Sequence, residues 1–239
     1  LIETDFFKKK YSNVNVKIPK TIVISTDEFD KFMDINNLWD IALHSKTNEE
    51  ILSIFLKSRL SREIIIIIKN ILKEFKKPLA IRSSSLLEDS QYQPLAGMYS
   101  TFMLPNSSDN LKERLSHVCE AIKRIYASTF FQRSKAIMDT IIHRHEEEKM
   151  AVIIMELIGQ THNNYFYPTF SGVAQSYNYY PVSYMQRDDG IVFAALGLGK
   201  TIVDGEKSLR FSPKHPNILT QYYSVKSTIN NSQNKFYAL

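Results

Sequence analysis

Arg82 is followed directly by Ser83, Ser84 and Ser85. A guanidinium presents a planar fork of N–H donors, and small hydroxyls beside it add short ones, which is the donor set that phosphate oxygens take. The same arginine could instead pair with Glu88 or Asp89 a few residues on, with the serines serving only as caps. A second group is Gly197-Leu198-Gly199-Lys200-Thr201. Two glycines let backbone amides come close to an anion, and Lys200 adds a point charge. The ending GKT is not a P-loop, because that motif needs glycine five residues before Gly199 and Ala194 stands there. A plain tight turn between strands is the competing reading of this segment. A third group closes the apolar run Ala151 to Ile158: Met155, Glu156, Leu157 and Ile158 could set backbone donors and acceptors against an adenine edge, or simply belong to a core strand.

Other polar clusters carry less. The adjacent acids Glu146/Glu147 and Asp188/Asp189 read as solvated surface, and His143/His145 belong to the same charged turn as the former pair. No paired Cys/His spacing suggests zinc, and no GxSxG elbow accompanies the serines.

These residues need elements to hold them. Val14 to Ser25 alternates apolar and polar positions and is rich in β-branched residues, so it reads as a strand. Thr26 caps a following helix, with Asp27 and Glu28 at its positive end and Phe29, Phe32 and Met33 on one face. Ser61 caps a second helix, Arg62 to Phe75, in which Ile64, Ile68, Ile71, Leu72 and Phe75 keep helical spacing until Pro78. Leu79 to Ser83 reads as a strand that delivers Arg82 to a polar loop, and a second strand returns over Thr101 to Leu104. Helices are expected over Ser107 to Ala127 and Thr129 to Ile142, then strands over Met150 to Ile158, Ser171 to Ser176 and Ile191 to Leu196, and a helical turn at Thr201 to Val203. A helix-rich part followed by a strand-rich part indicates an α+β protein of two lobes: residues 1–145 carrying the Arg-Ser loop, 146–226 rich in strands, and 227–239 as a linker or chain end.

The 239 residues are 44% hydrophobic and 23% charged, enough for a sizeable core. The single cysteine, Cys119, cannot form an internal disulfide, so a reducing, cytoplasmic setting is expected. No apolar run approaches the roughly 20 residues that cross a bilayer. The formal net charge of +5 is spread over separate segments rather than gathered in one stripe, so no nucleic-acid face is expected. The chain begins at Leu1, and Ser227 to Lys235 is polar, so both ends read as cuts in a longer polypeptide.

In order along the chain, these segments resemble the nucleotide-binding domain of the phosphoenolpyruvate synthase and pyruvate phosphate dikinase family. AIRSSSLLEDSQYQPLAGMYSTFML is similar to that family's "V-R-S-S-A-T-A-E-D-x-x-x-x-S-F-A-G-Q-x-x-T-F-L". IPKTIVIST, AVIIMELI, SGVAQSYNYYPV and ALGLGKTIVDG stand where the family has "P-x-G-F-V-I-T-T", "V-V-V-Q-x-M-V", "S-G-V-x-F-T-x-N-P" and "W-G-L-G-E-x-V-V-x-G". The resemblance implies a two-lobed, ATP-grasp-like fold with mixed or antiparallel sheets and flanking helices, with ATP and Mg2+ bound between the lobes. It further implies a dikinase that cleaves ATP and phosphorylates a histidine on a separate domain, which passes the phosphoryl group to pyruvate. By this resemblance Arg82 contacts the nucleotide phosphates, Ala96, Gly97 and Thr101 belong to the covering loop, and Met155 to Ile158 face adenine. Gly197, Gly199 and Lys200 form the Gly-Leu-Gly turn. Phe193 stands where the family has a magnesium-binding glutamate, and Lys200 where it has another; Asp204 and Glu206 are the nearby carboxylates that could hold the metal instead. The phosphohistidine and pyruvate-binding domains are absent from these 239 residues, so the chain is not expected to complete the reaction alone. Loss of the carboxylate at 193 leaves open a catalytically degenerate, nucleotide-binding regulatory module.

Overall fold

A computed structural model describes residues 9–86, 88, 99–139, 148–182 and 185–239. The chain divides into two compact units, one formed by Leu1–Ser85 and Thr101–Leu157, the other by Leu86–Ser100 and Ile158–Leu239. Its elements in order are β1 (Thr21–Ile24), α1 (Thr26–Ile35), α2 (Trp39–His44), α3 (Asn48–Lys57), α4 (Arg62–Glu74), β2 (Leu79–Ser84), β3 (Thr101–Leu104), α5 (Leu111–Ser128), α6 (Gln132–Met138) and β4 (Ala151–Glu156) in the first unit. The second holds β5 (Gln160–His162), β6 (Tyr165–Tyr167), β7 (Phe170–Gln175), β8 (Ile191–Leu196), α7 (Lys200–Val203), β9 (Leu209–Phe211) and α8 (Val225–Asn231). Helices and strands are thus mixed, and every strand pairing among the described residues is antiparallel.

The first unit is built on a four-stranded sheet of order β1-β4-β2-β3. Its inner face, with Ile24, Ile81, Val152 and Ile154 all buried, packs on helices, α5 lying against β2 and β3 and α1 against β4. Beneath it an aromatic cluster joins α1, α3, α5 and the residues after α5: Phe29 meets Tyr126 edge-on at 5.1 Å and stacks on Phe130 at 6.1 Å, and Phe32 lies 5.7 Å from Phe55. Each such side chain contributes about 1.5–3 kcal/mol by leaving water.

The isoleucine run forms helix because Ser61 caps it, accepting from the Ile64 N–H at 3.2 Å, and because Ile64, Ile68 and Leu72 fall on the buried face. The end of α4 is held by a network centred on Asn106 and Arg114. Arg114, only 5% exposed, donates to the carbonyls of Leu72 and Phe75 at 2.6 and 2.5 Å and through Nε to Asn106 Oδ1 at 2.7 Å. Asn106 donates in turn to the carbonyls of Phe75 and Lys77. These are carbonyls that a helix end leaves without intrahelical partners, and a cation is favoured there. The network fixes where the chain leaves α4 and enters β2.

Several boundaries differ from the sequence expectation. Only Thr21–Ile24 of the expected strand from Val14 pairs with β4; Pro19 has no N–H to give a ladder. The N-cap of α1 is Ser25 rather than Thr26, and its side chain makes no capping bond. α5 starts at Leu111 because Asn110 caps it, accepting from Lys112 N at 3.0 Å. The end of the next expected helix and the turn 143–147 lie outside the described residues. β4, expected with the strand-rich part from residue 146, is bonded between β1 and β2 in the first unit. Residues 227–239 are no bare linker. α8 runs to Asn231, and beyond it Gln233 pairs with both backbone groups of Leu196 while Leu239 exchanges two backbone hydrogen bonds with Phe166.

Candidate functional site

Antiparallel register decides which expected site residues can act together, since residues directly opposite each other share a face. Across the first sheet one row reads Val23, Ile153, Arg82, Thr101, and the next reads Thr21, Met155, Ala80, Met103. Both rows lie on the face away from the helices. Arg82 and Thr101 are exposed, Val23 is 62% exposed, and Met155 and Met103 are half-buried. The fold therefore brings three expected residues, Arg82, Thr101 and Met155, onto one outward face, with Arg82 directly opposite Thr101 in the ladder.

Strand alternation separates the others. Ser83 turns inward and is buried, so of the three serines Ser84, opposite Ala151, shares the arginine's face. Glu156 also turns inward, opposite Leu79, and is 8% exposed. Its backbone N–H donates to Lys20 O at 3.0 Å, and that of Leu157 to Pro78 O at 2.8 Å. Those two amide donors are taken within the protein, so neither is open to the adenine edge that the sequence led one to expect there. Ile158, 54% exposed, begins the second unit. Ala96 and Gly97 lie outside the described residues.

The Arg82 guanidinium makes no hydrogen bond or ion pair among the described residues, so the expected competition from Glu88 is not realised. An arginine on an apolar-rimmed face without a carboxylate partner keeps its full donor set for an anion.

In the second unit the sheet order is β7-β8-β9. β8 leads into the Gly-Leu-Gly turn, and Gly197 takes φ +79, where a Cβ would sit 2.7 Å from Tyr237 O. The turn is already engaged by the chain's own residues. Leu198 N donates to Tyr237 O at 3.0 Å, and Ser171 Oγ donates to Gly197 O at 2.8 Å. Lys200 is bound one helical turn on to Asp204 at 2.7 Å, lies 5.6 Å from the Tyr237 ring centre, and has its pKa raised chiefly by the hydrogen bond to Asp204. Gly199 is the N-cap of α7. The tight-turn reading therefore accounts for this segment as it stands.

The expected metal ligands do not fit a divalent ion. Asp204 is taken by Lys200. Glu206 Oε1 accepts from Lys235 Nζ at 2.6 Å and from Tyr237 Oη at 2.9 Å, which leaves Oε2 buried without a hydrogen-bond partner. The Lys235 hydrogen bond first, and that of Tyr237 after it, hold the Glu206 pKa below the usual carboxylate range. A hard dication needs several oxygen ligands; here one buried oxygen sits beside an ammonium group. Among the described residues no group of three or more His, Cys, Asp or Glu side chains converges.

A family model described as the pyruvate phosphate dikinase AMP/ATP-binding domain matches residues 7–238. The chain belongs to that family. The uncharacterized phosphotransferase YvkC of Bacillus subtilis (strain 168) is 26% identical to it over 196 residues, which is 82% of this chain and 21% of that relative. The chain thus spans about a fifth of the length of the curated relative it matches. Among the described residues no helix is long and apolar enough to cross a membrane.

For an AMP/ATP-binding domain, sequence reasoning missed three features. The Asn106–Arg114 network joins residues from α4 to α5 and shows no local pattern. The segment after α8 looked like a polar linker because its partners, through backbone groups, Gln233 and the side chains of Lys235 and Tyr237, lie about thirty or more positions back in the chain. Arg210 sits in the three-residue strand Leu209–Phe211, too short for its alternation to be read.

Proposed function

We propose that this domain binds ATP through Arg82 and serves a phosphotransferase that cleaves ATP and phosphorylates a histidine on a separate domain. Family membership supports the nucleotide, and the single observation that carries the site is the unpaired Arg82 guanidinium on an outward face beside Thr101. In this reading Arg82 donates to phosphate oxygens, Thr101 adds a hydroxyl, and Met155 with Val23 and Ile153 offers the apolar surface a purine ring requires. Positioning and charge stabilisation are most of what a protein contributes to phosphoryl transfer. Ala96 and Gly97 would cover the bound nucleotide. ATP itself supplies the phosphoryl group, and pyruvate is the proposed final acceptor.

Millimolar ATP should raise the melting temperature of the full-length protein, since a ligand that binds only the folded state stabilises it. Arg82→Ala should remove most of that rise. No rise in the wild type would end the proposal. A second reading, a nucleotide-binding regulatory module without turnover, is favoured by Phe193 and by the closed Lys200–Asp204 pair. Conversion of ATP to AMP with a phosphohistidine product supports the first reading; measurable binding with no such product supports the second.

A further inference from the structure

The outer side of α4 carries apolar and basic residues that the ATP-binding reading does not use. At about 100° per residue, Arg62, Ile66, Lys69 and Lys73 fall on one stripe of this helix, turned away from the buried Ile64, Ile68 and Leu72. All four stripe residues are exposed, Ile66 to 60%. Beside the stripe, α4 and the start of α5 enclose a groove of about 720 Å3 within the first unit. Ile65, Ile66, Leu111 and Leu115 form its apolar lining, and Lys69 and Lys112 stand on it, one from each helix; no carboxylate lines it. Asn110 caps α5 at the same place, so the helix N-terminus adds its partial positive charge. Glu63 and Glu74 lie about a quarter-turn or more round α4 from the stripe, and Glu113 accepts from Ser108 Oγ at 2.7 Å. The side chains of Arg62, Lys69 and Lys112 make no hydrogen bond or ion pair among the described residues.

We propose that this groove is a docking site for an amphipathic helix whose apolar ridge is flanked by carboxylates. Such a helix lays side chains spaced three and four residues apart into an apolar groove. Ile66, Leu111 and Leu115 receive the ridge, and Lys69 and Lys112 meet the acids beside it. Charge selects this occupant over a second copy of the chain, because the same face repeated brings lysines against lysines. Shape selects it over a bilayer, which meets residues that protrude, whereas Leu111 and Leu115 are half-buried in a hollow.

The test is fluorescence anisotropy of this chain with a labelled synthetic helix of about 20 residues, long enough to hold helical structure in water. The helix carries one stripe of leucines flanked by glutamates, and its counterpart has lysines in their place. Wild type should bind the glutamate helix saturably and at least about tenfold more tightly than the lysine helix, a difference that shrinks as salt rises. Ile66→Asp should weaken binding of the glutamate helix by at least about tenfold. The double variant Lys69→Glu with Lys112→Glu should reverse the preference between the two helices. The substituted positions are exposed, so folding should survive, and a reversed preference is a gain that unfolding cannot produce. No binding of the glutamate helix, equal affinity for the two helices, or unchanged binding by Ile66→Asp overturns the proposal. Wild-type dimers in sedimentation that Ile66→Asp separates also overturn it and give the face to a second copy. Binding to phosphatidylserine and phosphatidylcholine vesicles that the glutamate helix fails to displace overturns it in favour of a membrane surface.

Discussion

Two arginines of the first unit show how burial and partners divide structure from function. Arg114 is nearly buried and gives donors to Asn106 and to two carbonyls at the end of α4. Arg82 is exposed and gives its donors to nothing among the described residues. Removing Arg114 strands buried carbonyls, and each unsatisfied group costs about 1–3 kcal/mol. Arg114→Met should therefore lower stability by about 2–4 kcal/mol in denaturant unfolding, even though methionine fills similar space. Arg82→Ala should change it by less than about 0.5 kcal/mol. Equal losses in the two variants would remove the ground for treating Arg82 as a ligand-binding group. Asp189 is the counterpart among the acids. Sequence reasoning placed it on solvated surface with Asp188, but it is 7% exposed, accepts from Gln186 N and Lys214 Nζ at 2.7 Å each, and faces His215.

At the scale of elements, the pieces that could be read from the sequence are those whose signals are local. Ser61 and the isoleucine spacing define α4, and Ser61→Ala should destabilise the chain by about 1 kcal/mol through the lost cap. The strand carrying Arg82 and the returning strand at Thr101 were also legible, because alternation and the loop between them lie in one stretch. Their partner β4 was legible as a strand but not as a member of that sheet, since its pairing with β1 and β2 joins residues some seventy or more positions apart. The role of residues 233–239 was hidden for the same reason. They hold β8 through Gln233, the Gly-Leu-Gly turn through the Tyr237 carbonyl, and β6 through Leu239. Ending the chain after Ser232 should lower the melting temperature of the second unit, with hydrogen exchange rising first at Leu198 and Phe166. Unchanged protection at those two amides would show that the segment holds nothing.

For the whole molecule, two paired carboxylates in the second unit set the expected response to acid. The Lys214 hydrogen bond is the largest cause that keeps Asp189 below the usual carboxylate range, and that of Lys235 does the same for Glu206. A group whose folded pKa is depressed contributes stability above its unfolded pKa and loses that contribution as pH falls through the folded value. The melting temperature should therefore drop as pH falls below about 4, and Asp189→Asn should start lower and show a shallower drop. A wild-type curve flat through that window would contradict the ion-pair assignment. Nucleotide binding by this domain, as proposed, depends on Arg82 being open to the ligand. Titration of ATP into the full-length wild type and Arg82→Ala, followed by calorimetry, tests that most directly. The predicted result is saturable binding by the wild type and at least about tenfold weaker binding by the variant, the usual cost of losing a charged donor. Equal affinities for the two proteins would contradict it.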